Sequence, residues 1–152
     1  MNMNGAHLHL ILTHLPIVGM PLALLLLLRG HLCRSSDNQR AALYAMVALA
    51  AITLLTNWTG EGAEHVLKGL PDYPRPWVHS HEEMADRATF ATGITGVLAL
   101  LQLFWKRAAQ PLKLATLVLA VLSTLLLGYT GLLGGQIRHT EVRVSATSAG
   151  PA

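Results

Sequence analysis

Four apolar runs, each about as long as a bilayer's hydrocarbon is thick, constrain this chain more than any other feature. They occupy residues 8–28, 41–59, 85–105 and 112–133. At ~1.5 Å per helical residue, about 20 residues cover the roughly 30 Å of hydrocarbon. Inside that layer no water satisfies backbone amides, so the runs are predicted to be helices. Composition agrees: only 12% of residues are charged, where a soluble domain carries about 25%. The expected fold is an all-α membrane protein, a four-transmembrane-helix antiparallel bundle filling residues 1–142, with a polar C-terminal tail over 143–152.

The charges between the runs set a direction. The first and third connections hold Arg29, Arg34, Arg40, Lys106, Arg107 and Lys113 against the single acid Asp37. Lys and Arg are biased toward the cytoplasm, so both connections belong inside. Both termini and the connection with Pro71, Pro74 and Pro76 then lie outside, together with Glu61, Glu64, Asp72, Glu82, Glu83, Asp86 and Glu141. Those prolines lack amides and predict a break between helices two and three. The opening residues have no basic region, and no small-residue cleavage site follows the first run, so that run is expected to remain as a helix. The address this implies is the bacterial inner (cytoplasmic) membrane, crossed several times.

Several chemistries are excluded by their missing residues. A lone Cys33 cannot build a disulfide scaffold, and no Cys-x-x-Cys-His is present for covalent haem attachment. The net charge of +3 contains no basic block to grip phosphates, so nucleic acid is not a partner. His-Glu-x-x-His is absent, because His81-Glu82-Glu83-Met84-Ala85 lacks the second histidine. Glu64 and His65 are adjacent, which does not meet the Glu-x-x-His spacing of di-iron bundles. Neither a P-loop nor a nucleophile with its base is evident.

Histidine is the abundant reactive residue, and its placement carries the functional reading. Seven of eight, His7, His9, His14, His65, His79, His81 and His139, fall on the outer side, leaving His31 inside. Four come one per helix: His14, His65, His81 and His139. His14 lies within hydrocarbon depth, where an unpaired polar group is costly and marks a functional candidate. In helical steps from His81 lie Ala85, Ala88, Thr92, Thr95 and Gly96; backwards from His139 lie Gly135, Gly131 and Gly128. Faces of small residues either let helices touch closely or leave a slot for a planar ligand. A haem needs such a slot, with an imidazole on each side of its iron.

The strings His7-Leu-His-Leu-Ile-Leu-Thr-His14-Leu-Pro-Ile-Val-Gly19, Thr59-Gly-Glu-Gly-Ala-Glu64, His81-Glu82 and Thr130-Gly-Leu-Leu-Gly-Gly-Gln-Ile-Arg-His139-Thr-Glu141 together resemble a family of small four-helix bacterial membrane proteins. The likeness runs to about Val142, and the matching positions are His14, His81 and His139. Related domains occur joined to cytochrome c or Rieske modules, which implies redox company.

The expectation is therefore a membrane b-type cytochrome holding one or two haems b near the periplasmic face, an electron carrier more than an enzyme. His14 and His81 are the first expected ligand pair, since helices one and three are diagonal in a simple bundle. His139 is next, with His65, His9 or His7 as its partner if a second haem is present. Arg138 would pair with a propionate, and Gly131 and Gly135 would floor the slot. Expected partners are the bilayer, a periplasmic redox protein or quinol, and further copies of the chain. Two alternatives compete. The same histidines could bind or transport Cu, Zn or Fe ions, or the chain could be a structural subunit whose histidines line an interface.

Overall fold

A computed structural model describes residues 4–105 and 110–143. It contains four long helices and one short turn of 3₁₀ helix: α1 (Gly5–Leu32), α2 (Ser36–Lys68), α3 (Arg75–Phe104), α4 (Gln110–Arg138) and η1 (Thr140–Val142). All four α-helices are long and apolar enough to cross a membrane. Lys106 and Arg107, and all but the first residue of the expected tail, lie outside the described residues.

Local chemistry explains where the helices begin and end. The Asn4 side chain accepts from the His7 amide and caps α1, and Ser35 does the same for α2 through Asn38. Arg34 supplies the left-handed backbone of the α1–α2 turn, at φ 52°. Helix α2 runs on to Lys68, more than two turns past its apolar run, because residues 60–68 contain no proline to stop it. The break is thus shorter than the prolines suggest. Pro74 sits at the N-cap of α3 and Pro76 in its first turn, where an amide would have no helical acceptor in any case. Within α1, Pro16 and Pro21 are accommodated inside one continuous helix.

Paired residues fix the antiparallel order. Gly5 lies against Gly62 and Gly19 against Leu49 between α1 and α2; Gly96 lies against Ala50 between α2 and α3. Thr95 and Ser123 share a hydrogen bond of 3.0 Å between α3 and α4, and Gln102 donates to Thr116 nearer the other end. Gly131 of α4 meets Ile17 of α1 and closes the ring. Among the described residues α1 and α3 do not pack together, nor do α2 and α4, so each pair faces across the axis.

The interior mixes hydroxyl side chains with apolar ones such as Met20, Leu27, Met46 and Leu127. Leu10, Ile11, Leu22, Leu25, Leu54, Phe90 and Leu125 point outward, whereas Thr53, Thr56, Thr92, Thr95, Thr116, Ser123 and Thr130 are buried with Ala42, Ala88, Ala99 and Ala120. Lipid is as apolar as leucine, so helices gain nothing by hiding leucines from it; close contact and hydroxyl bonds hold them instead. Most of these hydroxyls bond a carbonyl one turn back, as Thr53 does with Leu49 at 2.7 Å.

Candidate functional site

At the end of the bundle that carries the N-terminus, the α2–α3 connection and the C-terminal turn, two histidines face each other across the axis. The rings of His9 (α1) and His81 (α3) have centroids 6.3 Å apart and planes at 87°. His9 Nδ1 donates to the Thr56 carbonyl at 3.0 Å and lies 3.2 Å from the Thr59 hydroxyl, both on α2. His81 Nδ1 donates to the Thr130 carbonyl of α4 at 3.0 Å. A carbonyl only accepts, so each Nδ1 carries the proton and each Nε2 keeps its lone pair. Neither Nε2 has a hydrogen-bond partner among the described residues.

The four helices each contribute to this arrangement. Two present a ring, and the other two present the carbonyl that orients it. Around the rings lies a cavity of about 50 Å³, lined by small or short side chains that include Thr13, Pro16, Thr53, Ala85, Ala88 and Thr89. Gly134 gives His81 its room: a Cβ there would stand 3.1 Å from the imidazole Cε1.

The ring separation has a chemical meaning. A metal–imidazole bond of about 2.0–2.1 Å, plus roughly 1 Å from ring nitrogen to ring centre, puts two imidazoles opposed on one metal about 6 Å apart, centre to centre. The tethered Nδ1 is the arrangement metal-binding histidines adopt, because it fixes the tautomer and strengthens the other nitrogen as a donor. Among the described residues, no group of three or more His, Cys, Asp or Glu side chains converges.

The remaining sequence candidates lie elsewhere. His14 is exposed and its Nδ1 donates 2.7 Å to the Leu10 carbonyl of its own helix. Five residues separate it from His9, which turns it about 140° away around the helix; the His14–His81 pairing is replaced by His9–His81. His139 follows the end of α4, exposed and 2.8 Å from Glu141. The Glu141 carboxyl is held below its ordinary range by its own backbone amide and then by that ring. His7 sits on the Asn4 cap at 2.8 Å, and His65 and Arg138 are exposed. Of the expected glycines, Gly131 makes room for Ile17 and a Cβ on Gly135 would meet nothing within 4 Å; neither touches an imidazole.

His9 and Gly134 are the residues that sequence reasoning underweighted. The signal for His9 was present in its heptad-like companions, Thr13, Pro16, Met20, Ala23 and Leu27, which are the small, proline or buried positions of α1. The first apolar run is leucine-rich on every side, so hydropathy gave it no phase.

No curated protein and no solved structure matches the chain. One family profile, described as "Predicted membrane protein (DUF2231)", matches residues 5–146, which include all four helices and both facing histidines. The chain belongs to that family of membrane proteins.

Proposed function

We propose that His9 and His81 would hold a b-type haem and that the chain is a membrane electron carrier. The observation that carries this reading is the carbonyl-tethered imidazole pair whose rings meet edge to face with centroids 6.3 Å apart. Its donor set fits a porphyrin: the macrocycle brings four nitrogens and asks the protein for two more, and two are on offer. A haem held there would supply a one-electron redox couple. Thr56 and Thr130 hold the rings in the correct tautomer through their carbonyls. Ala85, Ala88 and Thr89 keep bulk away from the ring edges. The exterior of the bundle is leucine-rich, which supports a site close to lipid.

The orientation belongs to the same proposal. Six Lys or Arg belong to the first and third connections (Arg29, Arg34, Arg40, Lys106, Arg107 and Lys113) and five to the histidine side (Lys68, Arg75, Arg87, Arg138 and Arg143), a small excess that supports a histidine pair toward the periplasm of a bacterial inner membrane.

A second reading is favoured by one observation. The cavity of about 50 Å³ has room for an ion and not for a macrocycle as the helices stand. A bare copper ion held by two imidazoles fits that space without rearrangement of the helices. Donor count weighs against ions that take four ligands, as zinc does.

The test is the absorption spectrum and metal content of the full chain purified in detergent from haem-replete cells. Sharp reduced-minus-oxidised α and Soret bands that vanish in His9→Ala and in His81→Ala, but persist in His14→Ala, are the expected result. Copper without those bands selects the second reading. A colourless protein without bound metal overturns both.

A further inference from the structure

Along the α3–α4 seam runs a second and larger hollow of about 520 Å³, lined by Trp77, Ser80, Met84, Tyr129, Leu132 and Gln136, among others. Its volume lies within the range of small-molecule sites. The two walls are antiparallel, so Trp77 and Gln136 share the terminal end. Met84 and Tyr129 share the deeper one, seven residues on, or about 10 Å at the helical rise. Tyr129 and Leu132 are exposed, so the hollow opens sideways, away from the bundle axis. It has no lining residue in common with the histidine cavity.

The terminal end holds two unmet polar demands side by side. The Gln136 Oε1 is buried and has no hydrogen-bond partner among the described residues. An amide oxygen left so is costly and calls for a donor. The Arg143 guanidinium lies 5.4 Å over the Trp77 ring, held there because its Nε and Nη2 donate to the Gln136 and Ile137 carbonyls at 2.8 and 3.1 Å. Both bonds go to neutral groups, and among the described residues no carboxylate pairs with Arg143. Glu83 belongs to the deeper end beside Met84, where His79 at 3.4 Å and Arg87 at 3.9 Å answer it on its own helix. Depth matters too. Gln136 stands three residues past the apolar run that ends at Leu133, about 4.5 Å at the helical rise, which falls within the roughly 5–7 Å of headgroup layer on each side of the hydrocarbon. Trp is enriched at that level.

We propose that this groove seats one phosphatidylglycerol molecule, its headgroup at Arg143 and Gln136 and an acyl chain along Leu132, Leu133 and Tyr129. The terminal end calls for an anion and a hydroxyl donor together. That headgroup carries both: a phosphate for the guanidinium and glycerol O–H groups for the amide oxygen. Other common headgroups supply only part of this. Phosphatidylcholine has neither net charge nor an O–H or N–H donor, and phosphatidylethanolamine carries its donor on an ammonium, which Arg143 repels.

The experiment is titration of the full chain in detergent with lipids of one chain composition, read as lipid retained per chain by native mass spectrometry. Saturable binding of one phosphatidylglycerol is expected, with phosphatidylcholine and phosphatidylethanolamine at least about tenfold weaker, the scale of one charge-assisted contact. Phosphatidylmethanol, which is anionic but has no headgroup hydroxyl, isolates the second contact: it binds roughly five- to tenfold more weakly than phosphatidylglycerol, and Gln136→Leu removes that difference. Arg143→Gln weakens both anionic lipids by about tenfold or more. Ser80→Trp, which fills the groove from an exposed position, abolishes retention. Binding persists in His9→Ala, which separates this site from the proposed ligand pair. Where a variant fails to fold, the comparison of lipids on the unaltered chain decides. Uptake without saturation, equal affinity for phosphatidylglycerol and either phosphatidylethanolamine or phosphatidylmethanol, or wild-type retention in folded Arg143→Gln overturns the proposal.

Discussion

His81 has a glycine beneath it, and that contact gives a sharp test of what the small residues of α4 are for. A side chain on Gly134 would collide with the ring at 3.1 Å, whereas one on Gly135 would meet nothing within 4 Å. Gly134→Val should therefore remove any bound pigment or metal, and Gly135→Val should leave it at wild-type level, both read from the spectrum and metal content of the purified protein. The residue scale is also where sequence reasoning reached its limit. His81 was legible, because Ala88, Thr92, Thr95 and Gly96 mark the inward face of α3 against bulkier outward neighbours. His9 was not, since α1 is apolar all round and His14, deeper in the run, seemed the costlier residue. A lone imidazole one turn above its own helix's carbonyl satisfies itself, as His14 does with Leu10, so membrane depth did not require a partner.

Among the elements, α1 and α2 approach closely where Gly5 crosses Gly62. A Cβ on Gly5 would stand 2.9 Å from the Gly62 backbone, which cannot yield as a side chain would. Gly5→Leu is expected to cost about 1–3 kcal/mol through overpacking. Gly128→Ala, at a position where a Cβ meets nothing within 4 Å, should be neutral or gain up to about 1 kcal/mol in helix propensity. Thermal unfolding in detergent compares the two. The α2–α3 connection offers a titration. Tyr73 donates to Glu64 at 2.8 Å, and Lys68 pairs with the same carboxylate at 2.7 Å. Loss of hydration, then the bond to Glu64, pushes the Tyr73 phenol above its ordinary pKa. A raised folded value means that this contact contributes fully below the ordinary phenol pKa and is lost as pH rises through the folded one. In an ultraviolet titration Tyr73 should ionise later than an exposed tyrosine, and Glu64→Gln should bring it back toward the ordinary value.

The whole molecule was legible in outline from hydropathy and charge, because a bilayer leaves a chain so apolar few alternatives to a bundle of spanning helices. Helix ends were less so: α2 and α3 continue well past their apolar runs into polar sequence that still has good helical bonding. Orientation is part of the proposal, and the lone Cys33 can report it. It is exposed on the turn between α1 and α2, the end proposed to face the cytoplasm. A membrane-impermeant maleimide should label it only after cells are opened; labelling in intact cells would invert the bundle and move the histidine pair to the cytoplasmic side.

Both imidazoles take their bearing from main-chain oxygens, at Thr56 and Thr130. Every residue type has a carbonyl, so exchanging either threonine side chain removes neither anchor. What would spoil the aim of the rings is sliding: a helix displaced along its neighbour presents a different oxygen at that height. The pair thus works as a gauge of how α2 sits beside α1 and α4 beside α3, and faults far down the bundle that let a helix slip would be felt at the histidines.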